Sequence, residues 1–173
     1  MRLLLLVISV SLFSCSTTIY VVRHAEKETG IDPTTMKTFG DPPLTFQGQQ
    51  RALALKQLLS GKNIKHIYST NTLRTTSTAK PLKELFLKVP LLIYSSKPDS
   101  MNAFVEKLKA IKKGNILVVG HSNTVDDIAN KIAGKTVVAG DLKDSEYDNL
   151  FILKLKGSSY NFKQDKYGRL SGN

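Results

Sequence analysis

Thr18-Ile19-Tyr20-Val21-Val22-Arg23-His24-Ala25-Glu26 is the stretch whose reading decides the fold. Its first five residues are β-branched or aromatic without interruption, the composition of a strand buried on both faces. Arg23 and His24 stand where that strand ends. The arrangement recurs twice. Ile64 to Ser69 reads as a short strand followed by Asn71-Thr72-Leu73-Arg74, and Ile116-Leu117-Val118-Val119 runs into Gly120-His121-Ser122-Asn123.

Helical patterns fill the intervals. Thr45 caps a helix reaching about Ser60, with Ala52, Leu55, Leu58 and Leu59 on one face. Asn71 or Thr72 opens a second helix reaching about Phe86. Leu91 to Tyr94 is a strand, and Ser100 begins a helix with Phe104, Leu108 and Ile111 at helical spacing. Asn123 to Ala133 is a further helix, and Leu150 to Leu155 with Tyr160 to Lys163 forms a terminal hairpin around Gly157-Ser158-Ser159. Strands alternating with helices predict an α/β three-layer sandwich with a mostly parallel central sheet. Ligands bind such sheets beyond the carboxyl ends of the strands, where His24, Arg74 and His121 all fall.

Two histidines and two arginines at that edge suit phosphoryl chemistry. Imidazole is a nucleophile at neutral pH, and a guanidinium grips phosphoryl oxygens in a bidentate fork. The Arg23 and Arg74 charges disfavour imidazolium and keep a lone pair on His24, while His121 can donate to oxygens as charge builds on them. Each residue alone has an ordinary structural reading. Together, each after its own strand, they predict a phosphate site. The third histidine, His66, stands alone in a strand, no ligand-spaced metal cluster is present, and neither metal nor cofactor is expected.

These three segments resemble the histidine phosphatase superfamily, which includes the cofactor-dependent phosphoglycerate mutases. The likeness rests on Arg23-His24 near the N-terminus, Arg74 in a Ser/Thr-rich turn, and Gly120-His121 after a strand. Asp41-Pro42-Pro43-Leu44-Thr45, followed by Gly48 and Arg51-Ala52, is similar to the segment opening the family's first long helix. The resemblance implies that His24 accepts the phosphoryl group and that Arg23, Arg74 and His121 complete the phosphate pocket. Glu26 and Lys27 match positions where the family carries polar residues; they either trim the pocket, or Glu26 pairs with an arginine. The family's general acid lies roughly 25 to 30 residues beyond the second arginine. Asp99 is the candidate there, with the first turn of a helix as its competing role. Asp148 is an outside candidate, and Asp126 and Asp127 complement a helix dipole. The expected activity is metal-independent hydrolysis of phosphomonoesters, of the histidine acid phosphatase type, through a phosphohistidine on His24. The alternatives are a protein phosphohistidine phosphatase and a non-catalytic lipoprotein that binds phosphate or polyanions.

The chain has 173 residues and a formal net charge of +11, so its partners are acidic. A phosphorylated small molecule fits, and no nucleic-acid module is recognisable. At the N-terminus, Arg2 precedes an 11-residue apolar run from Leu3 to Phe13. As a helix it would span about 16 Å, short of the ~30 Å hydrocarbon core. Leu12-Phe13-Ser14-Cys15 resembles a bacterial lipoprotein signal, Phe13 being bulkier than usual at its position. Cys15 is the only cysteine. The expected organisation is a signal peptide over 1–14, a lipid-anchored tether over 15–18 and a histidine phosphatase domain over 19–173. The bilayer is then a partner through lipidated Cys15, and the location is the cell envelope outside the cytoplasm.

Overall fold

The computed structural model describes residues 16–171. The expectations for residues 1–14 and for Cys15 lie outside the described residues. Six strands and four helices alternate: β1 (Thr18–Arg23), α1 (Phe46–Leu59), β2 (Ile64–Ser69), α2 (Leu73–Leu85), β3 (Leu91–Ile93), α3 (Pro98–Ala110), β4 (Asn115–Gly120), α4 (Val125–Ala133), β5 (Asn149–Lys156) and β6 (Ser159–Lys166). They build one sheet in the order β3-β2-β4-β1-β5-β6. The first four strands in that order are parallel, and β5 and β6 close one side as an antiparallel hairpin.

Period-two alternation divides the buried strand residues between two cores. Ile19 and Val21 of β1, with Ile116 and Val118 of β4, face Phe104 and Leu108 of α3 and Ile128 and Ile132 of α4. Tyr20 and Val22, with Leu117 and Val119, face Leu55 and Leu59 of α1 and Leu82 of α2. Helices therefore cover both faces, and the expected three-layer α/β sandwich with a mostly parallel sheet is the fold observed. All six residues of β1 are buried, in keeping with its place between β4 and β5.

Four local readings are corrected. Leu58 points outward at 41% exposure, because the inward face of α1 is Gly48, Arg51, Ala52, Leu55 and Leu59. A charged residue takes a core-facing position there, which apolar periodicity does not anticipate. Helix α3 begins at Pro98 rather than Ser100: proline at the first helical position has no N–H to satisfy and its φ is already helical. The hairpin extends to Lys166, past the apolar residues. Its polar end is held by backbone pairing and by the Gln164 amide donating to Asn149 Oδ1 at 2.8 Å. Thr18, placed in the tether by the expected division of the chain, begins β1, and the Thr17 carbonyl just before it accepts from the Leu155 N–H at 2.9 Å.

Candidate active site

Strand register brings the two histidines together. Arg23 of β1 pairs with Gly120 of β4, and Ser69 of β2 pairs with Val119, so the three strands end nearly level. His24 and His121 are the next residues along, and the His24 N–H donates to the Gly120 carbonyl at 2.9 Å. Their ring centroids stand 5.6 Å apart at 68°. Gly120 permits this ending: a Cβ there would lie 2.8 Å from the Tyr94 hydroxyl and 3.0 Å from Thr124 Oγ1. Arg74 enters from the first turn of α2. Arg23, His24, Lys27, Arg74 and His121 all line one cavity of about 520 Å³, together with Ser96, Ser122, Asn123, Thr124 and Asp144.

The His24 ring is held in one tautomer. Nδ1 lies 2.8 Å from the Ala25 carbonyl, which can only accept, so Nδ1 carries the hydrogen and Nε2 keeps the lone pair. The ring is 3% exposed. Burial lowers its pKa to about 3; the Ala25 contact opposes the shift, and Arg23, His121 and Arg74 add to it. His121 is lowered to about 4, first by burial, then by Arg74 and Arg23. Its Nε2 lies 2.9 Å from Thr70 Oγ1, itself 2.9 Å from Thr75 Oγ1. Both imidazoles are therefore neutral at pH 7, one with a free nitrogen lone pair and the other oriented by a hydroxyl chain.

These shifts carry a pH signature. A histidine in the unfolded chain protonates near pH 6.5, whereas the folded pair resists to about 4 and about 3. Across that window the unfolded chain binds more protons, so stability is lost as pH falls. Thermal melts from about pH 7 to about pH 4 should show Tm falling, and the fall should be shallower in His24→Asn. Parallel profiles for the two proteins would contradict the buried neutral imidazole.

The two arginines are held differently. Arg23 is 3% exposed and stacks on Tyr147, its guanidinium carbon 4.1 Å from the ring centroid. Its Nη1 donates to the carbonyls of Lys143 at 2.7 Å and of Asp144 and Glu146 at 3.2 Å. Its Nη2 stands 3.8 Å from the exposed Asp144 carboxylate. Arg74 donates from Nη1 to Asp41 Oδ1 at 3.1 Å, and the other Asp41 oxygen accepts the Leu73 N–H at the start of α2. The Nε atoms of both arginines are buried with no hydrogen-bond partner in the protein. A buried unpaired donor is costly, and arginines poised to pair with an anion are where such a cost is met.

Of the other expected residues, Lys27 lines the cavity and Glu26 does not. Glu26 takes the second of its two expected roles. Arg51 donates to it from Nε at 3.0 and 2.9 Å and from Nη2 at 2.6 Å, and the Arg51 Nη1 donates to the Tyr167 carbonyl. This pair braces α1 against the turn after His24. Gly48 allows the approach, since a Cβ there would meet the Glu26 carbonyl oxygen at 2.1 Å. Asp99 is corrected as a general acid candidate: it is exposed in the first turn of α3 and does not line the cavity. Asp148 is buried under Lys166 and the Ser171 N–H; burial alone would raise its pKa, but these donors hold it below the usual carboxylate value. Asp126 and Asp127 occupy the first turn of α4 as expected. Among the described residues no group of three or more His, Cys, Asp or Glu side chains is placed to hold a metal ion.

Sequence reading missed Asp41, Thr70, Asp144 and Tyr147 as parts of the site. Asp41 lay inside the segment that opens α1, where the Asp before Pro42-Pro43 was the available signal, and Thr70 stands between the end of β2 and the turn that carries Arg74. Asp144 and Tyr147 belong to the loop between α4 and β5, whose return to the site nothing local announces.

Residues 19–92 match the model of the histidine phosphatase superfamily (branch 1), a segment containing Arg23, His24 and Arg74. No match was found among curated proteins. Solved structures share the fold. The chain is similar to the alpha-ribazole phosphatase from Shigella flexneri, with a TM-score of 0.66, 13% identity, and 90% of this chain and 98% of that chain covered. It is similar to a candidate phosphohistidine phosphatase, SixA, from Nakamurella multipartitia, at 0.59, 16%, 90% and 96% respectively. The phosphoglycerate mutase from Plasmodium falciparum aligns at 0.58, 17%, 91% and 94%. The resemblance read from the three motif segments stands; His121 lies beyond the matched stretch.

Proposed function

We propose that this chain, which carries the histidine phosphatase superfamily match over residues 19–92, hydrolyses phosphomonoesters through a phosphohistidine on His24 without a metal. The family match supports phosphatase activity in general. The observation carrying the finer reading is the His24 Nε2 lone pair in a cavity shared with His121, Arg23 and Arg74. Nε2 attacks phosphorus in line; the N–P bond forms as the P–O bond to the leaving alcohol breaks, and that oxygen departs with the electron pair and takes a proton from solvent. The guanidiniums, Lys27 and His121 offset the charge on the three remaining oxygens. Water then attacks phosphorus and gives up a proton to solvent, the P–N bond breaks, and its electron pair returns to Nε2.

Asp41, itself half-exposed, is the anion that a phosphate would compete with for the Arg74 guanidinium, so Arg74 is a binding group more than a structural one. Arg74→Ala should lower kcat/KM on p-nitrophenyl phosphate by about a hundredfold with Tm little changed. An unaltered kcat/KM would remove Arg74 from the site.

A second reading, hydrolysis of phosphohistidine, is favoured by one feature. Among the described residues, the only carboxylate lining the cavity is the fully exposed Asp144, which ill suits a substrate whose leaving oxygen demands a well-placed acid. Assays on p-nitrophenyl phosphate, phosphosugars and a phosphohistidine peptide, each with chelator, separate the readings. Turnover of esters supports the first, and turnover of the peptide alone the second. No turnover on any of them leaves the site a binder and refutes both.

We also propose export, with lipidation at Cys15, on the strength of the apolar run and its following cysteine. Radiolabelled palmitate should enter the wild-type protein and not Cys15→Ser. Equal labelling of the two would contradict the assignment.

A further inference from the structure

The geometry points to a second functional face, at the end of the sheet opposite the cavity: a lysine-rich pole that seats the domain on an anionic lipid surface with its active site turned away. This inference is independent of catalysis and of lipidation.

The cavity lies where β1, β2 and β4 end. Where they begin, four connections meet. The Asn115 N–H donates to the Asn63 carbonyl, and the Asn115 side chain joins the Lys62 carbonyl to the Thr18 N–H. These contacts bind the α1–β2 and α3–β4 connections to the start of β1. Lys109 and Lys112 share a cleft with Gly134, which ends α4, and with the Gly157-Ser158-Ser159 turn of the hairpin. Ser16, the first described residue, shares another with Lys154, Lys156 and Asn161.

Segments 60–65, 111–115, 134–136 and 154–159 together carry Lys62, Lys65, Lys112, Lys113, Lys135, Lys154 and Lys156, and no Asp or Glu. All seven are exposed. The nearest carboxylate on α3, Glu106, already pairs with Lys109 at 3.2 Å. The helices entering this end from the cavity side bring their C-termini to it, where lysine is favoured, so each lysine has a local rationale. Their convergence on the point where the chain leaves the sheet has none.

That exit selects the occupant. The 15 residues before Ser16 contain the apolar run Leu3 to Phe13, and Ser16, which directly follows them, stands on this lysine-rich face beside Lys154 and Lys156. A lipophilic group beside a polybasic surface, be it the uncleaved run or a lipid on Cys15, is the two-signal arrangement for holding a protein on a membrane, each lysine near an anionic leaflet adding attraction that salt screens. The six-residue β1 spans about 20 Å from this pole to His24. A domain seated base-first therefore opens its cavity to the aqueous phase and takes soluble phosphorylated substrates.

The test compares the full chain, made without processing, on vesicles of phosphatidylcholine and on vesicles with roughly a third phosphatidylglycerol. The apolar run contributes to both, and the lysine pole only to the second. Affinity for the anionic vesicles should be at least about tenfold higher at 0.05 M salt and converge on the neutral value near 0.5 M. Lys112→Glu/Lys113→Glu/Lys156→Glu should abolish the difference with circular dichroism and Tm unchanged, while Lys37→Glu/Lys97→Glu/Lys143→Glu, an equal change of charge elsewhere on the surface, should keep most of it. Equal affinity of the wild type for both vesicles at low salt overturns the proposal. Equal losses from the two variants would do so as well, assigning the attraction to overall charge. So would a preference for anionic vesicles that survives the triple substitution. Preferential binding of the wild type to duplex DNA over anionic vesicles at matched salt would reassign the face to nucleic acid.

Discussion

His24→Ala is expected to lower phosphatase turnover by about four orders of magnitude while the protein stays folded. The loss is large because the variant removes the atom that bonds to phosphorus, leaving only charge stabilisation by Arg23, Arg74 and His121 around a water nucleophile. Folding tolerates the change because His24 is anchored mainly through its backbone, the N–H donating to Gly120, and its ring makes one local contact with Ala25. Arg23 and His121 each lose a neighbour that was neutral, so no buried charge is stranded. Circular dichroism and Tm report the fold, and steady-state kinetics on p-nitrophenyl phosphate the loss. Turnover within tenfold of wild type would show that the nucleophile lies elsewhere.

The second large effect is on stability. Glu26→Ala is expected to cost about 3 kcal/mol, lowering Tm by roughly 10 °C, because it leaves the Arg51 guanidinium buried without its counter-charge. The Arg51 side chain is 1% exposed and that of Glu26 15%, so water cannot replace the lost carboxylate. The variant separates two roles that sequence alone leaves open. A bracing residue moves Tm and chemical denaturation, and kcat at low temperature survives; a pocket residue moves KM with Tm unchanged. Replacing both partners, as Glu26→Ala/Arg51→Met, should recover part of the stability, since apolar groups of similar volume substitute for a buried pair better than half of it does. A Tm within 2 °C of wild type in the single variant would contradict the buried pair.

These two residues also show what the sequence disclosed. His24 was legible because its signal is local: a buried strand with an arginine and a histidine at its end, and further strands followed by His121 and by the turn that carries Arg74. Once the strands were recognised as parallel, their carboxyl ends had to share an edge, and the site followed. Arg51 was opaque. Its inward orientation depends on Glu26, 25 positions earlier, and on the close approach at Gly48, neither of which leaves a periodic trace in α1. Leu58 was placed inward for the same reason. Asp144 and Tyr147 reach Arg23 through a loop whose path is set by the sheet order, not by its own composition. Asp99 matched a spacing, and spacing along the chain does not measure distance across a cavity. The lysines were visible one by one, but their gathering at one end needed the strand directions.

The central claim is that phosphate passes through a covalent bond to His24. Incubating the enzyme with a ³²P-labelled phosphomonoester, quenching in alkali and mapping the label by mass spectrometry tests it directly. The account predicts a base-stable, acid-labile label on His24 Nε2 that forms and decays fast enough to account for turnover, and that is absent from His24→Ala. Turnover with no labelled histidine, or label carried by another residue, would contradict it.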